Sequence, residues 1–505
     1  MPFDLLPLGF QPGIFANRSA RASSGRWVDG NLVRFTDSVP MQVGGWQIPP
    51  VSGAISGRAR DMIAWRPNSQ VGRYAAIGTH SNAYQFDGSA LVDITPAGYV
   101  AGRIDSVVGS GYGTTTYGTG LYGTVRAGSG LVLTAGGWTF DMFGEILVGC
   151  GIGDGTLYRY QIGTDARLVA ITGGEAPKAA AICVSDERHV FAFGCNDNPN
   201  LVMWSDRESL TVWTPTPTNR AGSYDMQATS PFQCGRRVRG MVAAWTQTEA
   251  FAFAPLSSSL VYDYQRIGSN CGVMGPHAVV VVNDPGGDVA YWMGTDAFFI
   301  FDGSVRQLPC DLWDYVFKDL NTLQRTKFQA RANTKFNEVL FLYCSAGSAE
   351  IDRGVSYSYG TGAWSKFDIS RLAWLDVGIF SLPLAVDAAG TLYEHEIGDL
   401  DHNGDPLNSF VLSAPLMMGN GREMMQIDGF WPDVEPGTGN CTLTVYARDF
   451  AGDADTVFGP YPFTGGTEKV DLTISARQVQ VKFTGIGGHW ELGVPALSAM
   501  AEGGR

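Results

Sequence analysis

A turn motif flanked by aromatic residues occurs twice in this chain and limits the folds that it can adopt. The copies are Ala83-Tyr-Gln-Phe-Asp-Gly-Ser and Ala297-Phe-Phe-Ile-Phe-Asp-Gly-Ser, and an apolar run follows each of them. Asp-Gly between two strands favours a tight hairpin in which both central positions have positive φ. Weaker echoes begin at Thr156 and Thr391, each as Thr-Leu-Tyr after a glycine. We therefore predict a β-hairpin that is repeated along the chain.

A repeated hairpin cannot bury its apolar faces alone, and radial stacking against its own copies solves this problem. We predict a β-propeller over residues 58–411, with about six to eight blades of roughly 40–50 residues. An array of ordinary sandwich sheets with coincidental Asp-Gly turns is the alternative. Short apolar runs of strand length, bounded by turn residues, support the β assignment; they are 83–86, 144–148, 189–193, 241–245, 250–253, 278–282 and 339–343.

The two ends of the chain show other patterns. Residues 1–57 are rich in glycine, proline and arginine with little periodicity, which predicts an extended, peripheral arm. Residues 412–505 contain strictly alternating runs such as Cys441-Thr-Leu-Thr-Val-Tyr-Ala-Arg and Gln478-Val-Gln-Val-Lys-Phe. Alternation is typical of half-buried antiparallel strands and predicts a C-terminal β-sandwich. The expected fold class is all-β, a β-propeller with an N-terminal extended arm and a C-terminal β-sandwich.

One segment has the pattern of a helix. In residues 311–324, Asp311 suits the N-cap position. The apolar residues that follow recur on one helical face; they are Leu312, Val316, Leu320 and Leu323. We predict a single helix on the rim of the propeller.

The chain is acidic, which limits how it could interact with nucleic acid. It has 35 lysines and arginines against 49 aspartates and glutamates, for a formal net charge of −14. A protein that holds nucleic acid by neutralising its phosphates needs a basic surface, so this class is disfavoured. A wall along which DNA passes without sticking remains compatible with the charge, and so does simple solubility.

The cysteines and the apolar segments indicate the compartment. The eight cysteines are scattered singly and lack metal-site spacing, which predicts buried thiols in a reducing environment. The first ten residues lack the basic start of a signal peptide, and no run of about 18 apolar residues occurs. We expect a protein that folds in the cytoplasm and has no membrane span.

Motifs of catalysis are absent from the sequence. It contains no Gly-x-Ser-x-Gly and no His-Glu-x-x-His, two patterns that mark hydrolase nucleophiles and zinc sites. We expect no enzyme activity, no catalytic residues and no cofactor. Asp399, Asp401 and Asn403 match the first half of a calcium loop, but Phe410 stands where the bidentate carboxylate is needed. A plain Asx turn is the alternative.

A low-complexity tract of glycine and tyrosine covers residues 109–128. Tyr112, Tyr117 and Tyr122 each precede a glycine at a spacing of five residues. No Gly-Lys-Ser/Thr follows, so the tract is not a phosphate loop. It is predicted to be either a mobile surface loop or a contact with another subunit or partner.

Several stretches together resemble the β-propeller tail proteins of short-tailed bacteriophages, of the nozzle or packaged-DNA stabilisation type. The resemblance covers most of the chain. Near the N-terminus the motif is Arg26-Trp-Val-Asp-Gly-Asn-Leu-Val-Arg-Phe, followed by Gly44-Gly-Trp, and the next is the glycine-tyrosine tract followed by Trp138-Thr-Phe-Asp-Met-Phe-Gly-Glu-Ile-Leu-Val. The third runs from Arg266-Ile-Gly-Ser-Asn-Cys-Gly through Tyr291-Trp-Met-Gly-Thr-Asp to Phe301-Asp-Gly. The last is Ser475-Ala-Arg-Gln-Val-Gln-Val-Lys-Phe, followed by Trp490-Glu-Leu-Gly.

The resemblance implies a structural role in the virion tail. It implies a ring of six copies below the portal and its adaptor protein, with tail fibre or spike proteins as further partners. DNA would pass through the lumen without sequence-specific binding. Arm residues such as Arg18, Arg21 and Trp27 would then contact a neighbouring subunit or the adaptor. A carbohydrate-binding or glycan-cleaving propeller is the alternative, because such folds often carry sugar sites.

Overall fold

A computed structural model describes residues 3–69, 71–109, 132–172, 175–257, 260–418, 421–435 and 439–502. Six strands precede the repeating part of the chain; they are β1 (Asp4–Pro7), β2 (Gln11–Ile14), β3 (Arg26–Asn31), β4 (Val33–Thr36), β5 (Val39–Gln42) and β6 (Trp46–Gln47).

Seven four-stranded antiparallel sheets then follow one another. The first sheet contains β7 (Ala59–Trp65), β8 (Tyr74–Thr79), β9 (Ala83–Phe86) and β10 (Leu91–Asp93), and a separate pair follows it, β11 (Val107–Val108) and β12 (Val132–Leu133). The second to fourth sheets contain β13 (Trp138–Phe143), β14 (Ile146–Gly151), β15 (Leu157–Tyr160) and β16 (Val169–Ala170); β17 (Ala181–Val184), β18 (Val190–Phe193), β19 (Leu201–Trp204) and β20 (Gly222–Asp225); and β21 (Phe232–Val238), β22 (Met241–Thr246), β23 (Glu249–Pro255) and β24 (Tyr262–Ser269). The fifth to seventh sheets contain β25 (Val279–Asp284), β26 (Gly287–Met293), β27 (Phe298–Phe301) and β28 (Val305–Leu308); β29 (Gln329–Asn333), β30 (Glu338–Tyr343), β31 (Arg353–Ser358) and β32 (Trp364–Phe367); and β33 (Ala373–Leu375), β34 (Leu384–Val386) and β35 (Leu392–His395).

The seven sheets are the blades of a closed β-propeller. The first strand of each blade contacts the first strand of the next, and β33 of the last blade contacts β7 of the first. The fourth strand of the seventh blade is β6, which pairs with β35 through Gln47 and Glu394 and through Trp46 and His395. The two ends of the propeller segment therefore meet in one sheet. The predicted propeller is confirmed, and its blade number lies within the expected range.

The blades are held together by apolar contacts between their faces. The second strands β18 and β30 are buried along their whole length, because each blade lies between two others. Aromatic rings cross from blade to blade: the ring centroids of Phe193 and Phe232 lie 5.9 Å apart, and those of Phe298 and Phe341 lie 4.4 Å apart. Such pairs add roughly 0.5–1.5 kcal/mol beyond the burial of their area.

The sequence echoes occupy equivalent places in their blades. The motifs that contain Ala83, Leu157, Phe298 and Leu392 all lie in the third strand, β9, β15, β27 and β35. The Asp-Gly turns join third and fourth strands, as predicted, but they are wider than a two-residue hairpin and comprise residues 87–90 and 302–304.

The turn type was therefore predicted wrongly. Only the glycines have positive φ, 98° at Gly88 and 126° at Gly303. In the first turn the Asp87 carboxylate accepts hydrogen bonds from the backbone N–H groups of Ser89 at 2.8 Å and Ala90 at 2.7 Å. This side-chain bonding stabilises the longer turn in place of a second residue with positive φ.

A β-sandwich forms the second unit of the protein. Its strands from the C-terminal part of the chain are β36 (Phe410–Ser413), β37 (Met424–Trp431), β38 (Asn440–Arg448), β39 (Thr456–Phe463), β40 (Val470–Ala476), β41 (Gln478–Gly487) and β42 (Ala496–Glu502). Its two sheets have the strand orders β1-β42-β37-β40 and β2-β3-β36-β41-β38-β39. Alternate residues such as Leu443, Val445, Val479 and Val481 are buried between the sheets, which confirms the predicted pattern.

The segment 1–57 differs from the extended arm that its composition predicts. Strands β1, β2 and β3 belong to the sandwich, β4 and β5 form a hairpin, and β6 completes the seventh blade. Trp27 is buried, with its ring 4.5 Å from Phe10 and 6.2 Å from Phe483. The partners of these strands lie hundreds of residues away in sequence, so no local periodicity announces them. The sandwich consequently uses both ends of the chain.

The predicted helix of residues 311–324 is interrupted. An α-helix covers only Trp313–Phe317, and a 3-10 helix follows at Thr322–Lys327. Leu320 instead forms an isolated β-bridge with Ser345, and Asp311 makes an ion pair with Arg26 rather than an N-cap. Two further 3-10 helices lie at Ala20–Ser23 and Thr334–Phe336.

All eight cysteines are free thiols, and all except the half-buried Cys310 are buried. The prediction of buried thiols is confirmed. Burial raises the pKa of Cys234 and of Cys271 to about 11. These thiols are therefore protonated at neutral pH and are poor nucleophiles.

A buried ion-pair cluster fixes the N-terminal hairpin to the closing blades. Arg34 on β4 is 4% exposed. Its guanidinium donates to Glu338 on β30 at 3.2 Å and to Glu396, which follows β35, at 2.9 and 2.5 Å. Asn333 donates to the same Glu396 carboxylate at 3.0 Å. Burial lowers the pKa of Arg34, but the two carboxylates outweigh this effect and raise it, so the guanidinium stays charged.

Replacing Arg34 should destabilise the propeller strongly. In Arg34→Gln the carboxylates of Glu338 and Glu396 stay buried without a counter-charge, which costs about 3–5 kcal/mol. We expect a large drop in the thermal unfolding temperature. Arg306→Gln, which removes an exposed arginine paired with Asp302, is the matched control and should change stability by less than about 0.5 kcal/mol. An Arg34→Gln protein that melts with the wild type would contradict the role of the cluster.

Candidate functional site

A cavity with a volume of about 540 Å³ lies at one mouth of the propeller channel. Its wall consists of loops that lead into the first strands of the blades, at Gly136, Ala180, Pro231 and Pro276, and of loops between second and third strands. Small residues dominate these loops and let them converge. A Cβ atom on Gly136, for example, would lie 2.4 Å from the Cα atom of Gly102. A volume of this size is in the usual range for small-molecule sites.

Two basic residues of the cavity are neutralised by neighbouring carboxylates. Arg60 donates from both terminal nitrogens to Glu350, each at 2.8 Å. Lys327 donates from Nζ to Asp105 at 2.5 Å and to the carbonyl of Ala349 at 2.7 Å. Both side chains are buried, so their hydrogen bonds offset the cost of removing the charges from water. They hold the loops around residues 105 and 350 against the mouth of the channel.

Two further basic residues of the cavity lack such compensation. Within the part of the chain that the structure describes, the guanidinium of Arg325 has no hydrogen-bond or ion-pair partner. Desolvation lowers the pKa of Arg325. Lys178 lies exposed on the same lining. The mouth of the channel therefore carries cations that are free to meet an anion.

His277 lines the cavity from its buried side. Only 2% of the residue is exposed, and neither ring nitrogen has a hydrogen-bond partner among the described residues. Its Nδ1 lies 3.6 Å from the Asp61 carboxylate. Burial lowers the pKa of His277 to about 4, against an opposing effect of Asp61. A contact with the backbone of Trp138 also raises the pKa, but burial prevails and the imidazole is neutral at pH 7.

Asp61 anchors the polar residues along the propeller axis. Its carboxylate accepts from Arg331 at 2.8 Å and from the backbone N–H groups of Met62 at 2.9 Å and Phe140 at 3.0 Å. Burial raises the pKa of Asp61, but His277 and Arg331 outweigh burial and the pKa falls below its usual value. These contacts join the first, second and sixth blades at the axis.

The suspected calcium loop forms a turn. The Asp401 carboxylate accepts from the backbone N–H groups of Asn403 at 2.8 Å and Asp405 at 2.9 Å, which is an Asx turn. Asp399 lies 4.0 Å from His489, and Phe410 is a residue of β36. Across the described ranges, no group of three or more His, Cys, Asp or Glu side chains could hold a metal ion. The calcium hypothesis gains no support from this arrangement.

The residues predicted to contact a neighbouring subunit or the adaptor lie in different environments. Trp27 was expected to contact a neighbour, but it is buried in the sandwich and cannot do so in the folded subunit. Arg18 is exposed, whereas the side chain of Arg21 lies outside the description. The glycine-tyrosine tract lies outside the described residues from residue 110 onward, between strands β11 and β12.

Sequence analysis missed the residues that line the cavity. Arg60, His277 and Arg325 are isolated in sequence and match no motif. The sequence offers only a weak signal for these residues. In several blades a polar residue stands at or just before a first strand that is otherwise mainly apolar. Only the ring closure shows that these positions meet at one axis.

Comparisons with known proteins find only distant structural similarity. No family model matches the sequence, and no curated protein does. Similar solved structures include the extracellular domain of the one-component system BT4673 from B. thetaiotaomicron, with 9% identity and a TM-score of 0.42 over 70% of this chain. The chain spans 40% of that protein. Another is the β-propeller domain of Myceliophteria thermophila Cps50 (Swd1), with 9% identity and a TM-score of 0.38, over 69% of this chain and 98% of that one. A third is YCF48 bound to a D1 peptide, with 9% identity and a TM-score of 0.38, over 70% of this chain and 97% of that one. Within the described ranges, none of the helices has the length and apolar character that crossing a membrane would require.

The neutral, buried His277 should make the protein sensitive to acid. The unfolded chain takes up this proton near pH 6.5 and the folded protein only near pH 4. Stability is therefore complete above pH 6.5 and falls as the pH is lowered toward 4, by up to about 3 kcal/mol. His277→Gln should flatten the dependence of the unfolding temperature on pH between 7.5 and 5, measured in chloride buffers. Exposed His402→Gln is the control; equal pH profiles for wild type and His277→Gln would refute the assignment.

Proposed function

We propose that the chain is a structural subunit of a short bacteriophage tail, of the nozzle type. Copies would be made in the cytoplasm of the host and assemble into a ring, of six subunits by the resemblance. The ring would lie below the portal adaptor, contact tail fibre or spike proteins, and retain and release DNA through its lumen. The role is structural and not enzymatic. The observation that carries the proposal is the pair of open edges on one sheet of the sandwich.

The sheet β1-β42-β37-β40 is open at both ends within the described part of the chain. Strand β40 contains no proline, and Leu5 on β1 is an apolar side chain that is 60% exposed. An edge strand with unpaired N–H and C=O groups is a template for pairing with another chain. Two different edges allow a head-to-tail contact, which generates a ring when the rotation closes.

The sandwich is attached firmly to the propeller, as a subunit of a conduit requires. Arg26 on β3 forms an ion pair with Asp311, and Asp29 forms another with Lys366 on β32. Asn17 donates to the carbonyl of Cys310 at 2.6 Å. These contacts connect both units through several elements, so force on one would be transmitted to the other.

The motifs behind the resemblance have structural tasks in this fold. The N-terminal motif contains Arg34 of the buried cluster, and its companion contains Gly44 and Gly45. A Cβ atom on Gly44 would lie 2.6 Å from the Cα atom of Glu396, and one on Gly45 would lie 2.1 Å from the carbonyl oxygen of Leu400. Both glycines therefore permit the chain to approach the seventh blade closely. A set of motifs that maintain an architecture supports a structural role.

The carbohydrate alternative has weaker support. Sugar sites commonly combine exposed aromatic faces with carboxylates, and aromatic rings supply most of the contact area at such surfaces. Among the lining residues of the channel cavity the one aromatic residue is Phe232, which is buried.

The first test is the mass of the purified protein by light scattering, alone and mixed with its adaptor. A closed ring under either condition is expected. Leu5→Glu places a charge at the open edge and should shift the mass toward the monomer. Because Leu5 is largely exposed, this change should leave the unfolding temperature close to that of the wild type.

The matched control is Val71→Glu, which introduces the same charge at a propeller position that is 99% exposed. It should assemble as the wild type does. A monomer under both conditions at high concentration would overturn the tail proposal and favour the carbohydrate-binding one. A ring that forms normally with Leu5→Glu would reject the edge contact.

A further inference from the structure

We propose that the cavity at the mouth of the propeller channel binds a small oxyanion, a phosphate or carboxylate group, between Arg325 and His277. The site goes beyond the proposed tail function and does not depend on it. Lys178 at the rim would add a second positive charge. The argument rests on charge, on buried unpaired groups and on the placement of the two segments.

The charges around the cavity favour an anion. In a chain with a net charge of −14, the basic residues Arg60 and Lys327 are matched by Glu350 and Asp105. Arg325 has no such partner within the described ranges. Arg236 on β21, which is not part of the lining, donates to the carbonyl oxygens of Gly235 at 2.8 Å and Pro276 at 3.0 Å. A partly desolvated guanidinium without a carboxylate is a ready donor for an oxyanion, which it can bind through two parallel hydrogen bonds.

Buried polar atoms without partners point to a missing ligand. Both ring nitrogens of His277 and Nε of Arg60 are buried and have no hydrogen-bond partner among the described residues. Both residues line the cavity. An unsatisfied buried donor costs about 1–3 kcal/mol, so native proteins normally satisfy it with a protein group, an ordered water or a bound ligand. The N–H of a neutral imidazole is a suitable donor to an oxyanion oxygen.

The two principal residues come from segments that pack against each other. His277 forms a β-bridge with Gln329, and its carbonyl accepts from the N–H of Ala330 at 2.8 Å. A Cβ atom on Gly275 would lie 2.7 Å from the carbonyl oxygen of Arg325, so the backbones are in close contact there. The loops that enter the fifth and sixth blades, which carry His277 and Arg325, are therefore adjacent in the lining of the cavity.

Two acidic residues of the lining do not cancel this charge. The Asp154 carboxylate accepts from Tyr158 at 2.7 Å and from the N–H of Thr156 at 2.9 Å, so it is already occupied. Asp197 is exposed at the rim, where solvent screens it. Among the described lining residues, Arg325 and Lys178 therefore keep their positive charges without a carboxylate partner.

The test uses the full chain with inorganic phosphate and, separately, acetate, at constant ionic strength set with chloride. Binding is followed by the unfolding temperature and, for phosphate, by the width of its phosphorus NMR signal. We expect a saturable response to at least one of the two anions, and the stronger response identifies the ligand as phosphate-like or carboxylate-like. In Arg325→Gln the apparent affinity should fall about 10-fold or more, because a charge-assisted hydrogen bond is lost.

Arg306→Gln is the matched control, because Arg306 is exposed on the outer strand of the fifth blade. It should bind as the wild type does. If Arg325→Gln does not fold, Lys178→Gln at the exposed rim replaces it, with a smaller expected loss of affinity. Responses of wild type that rise without saturation, or equal affinities in wild type and the cavity variant, would overturn the site.

Discussion

Closure of the propeller depends on a contact between residues that are far apart in sequence. The strand that completes the seventh blade, β6, has only two residues, so its ladder with β35 provides few hydrogen bonds. The Arg34 cluster reinforces this join, since it connects the hairpin before β6 with Glu338 on the sixth blade and Glu396 beside the seventh. Losing one partner of a buried cluster costs more than the cluster contributes as a whole, because the remaining charges are left unpaired. The join is therefore sensitive to single substitutions.

The same closure creates the polar axis. The seven first strands lie around the propeller axis, and some of them carry polar residues there, among them Asp61 on β7 and Arg331 on β29. Asp61 and Arg331 satisfy each other, and backbone N–H groups complete the bonding of the carboxylate. His277 is held beside them in the neutral form. The acid sensitivity predicted above thus originates in a buried, neutral imidazole between charged neighbours.

Local patterns in the sequence were sufficient to predict those strands that neighbouring residues determine. The alternation around Leu443 and Val479 and the repeated motif around Phe86 and Phe301 were enough for the sandwich strands and the propeller. The prediction of an extended arm was wrong because its strands pair with residues that are distant in sequence. The strand that contains Trp27 pairs with residues near Ser413, and β1 pairs with the last strand, so the segment 1–57 resembled an arm when considered alone. The cavity residues are predictable only once the ring is known, because Arg325 and His277 become neighbours through blade order.

Protection of the sheet edges is unequal, and this inequality bears on assembly. The outer strands of the six-stranded sheet contain prolines, Pro12 on β2 and both Pro460 and Pro462 on β39. Proline lacks the N–H that edge pairing needs, so these edges resist pairing. The four-stranded sheet has no such residue on β40 and only Pro7 at the end of β1. A subunit that blocks one sheet and leaves the other open at two unlike edges restricts strand pairing between subunits to that one sheet.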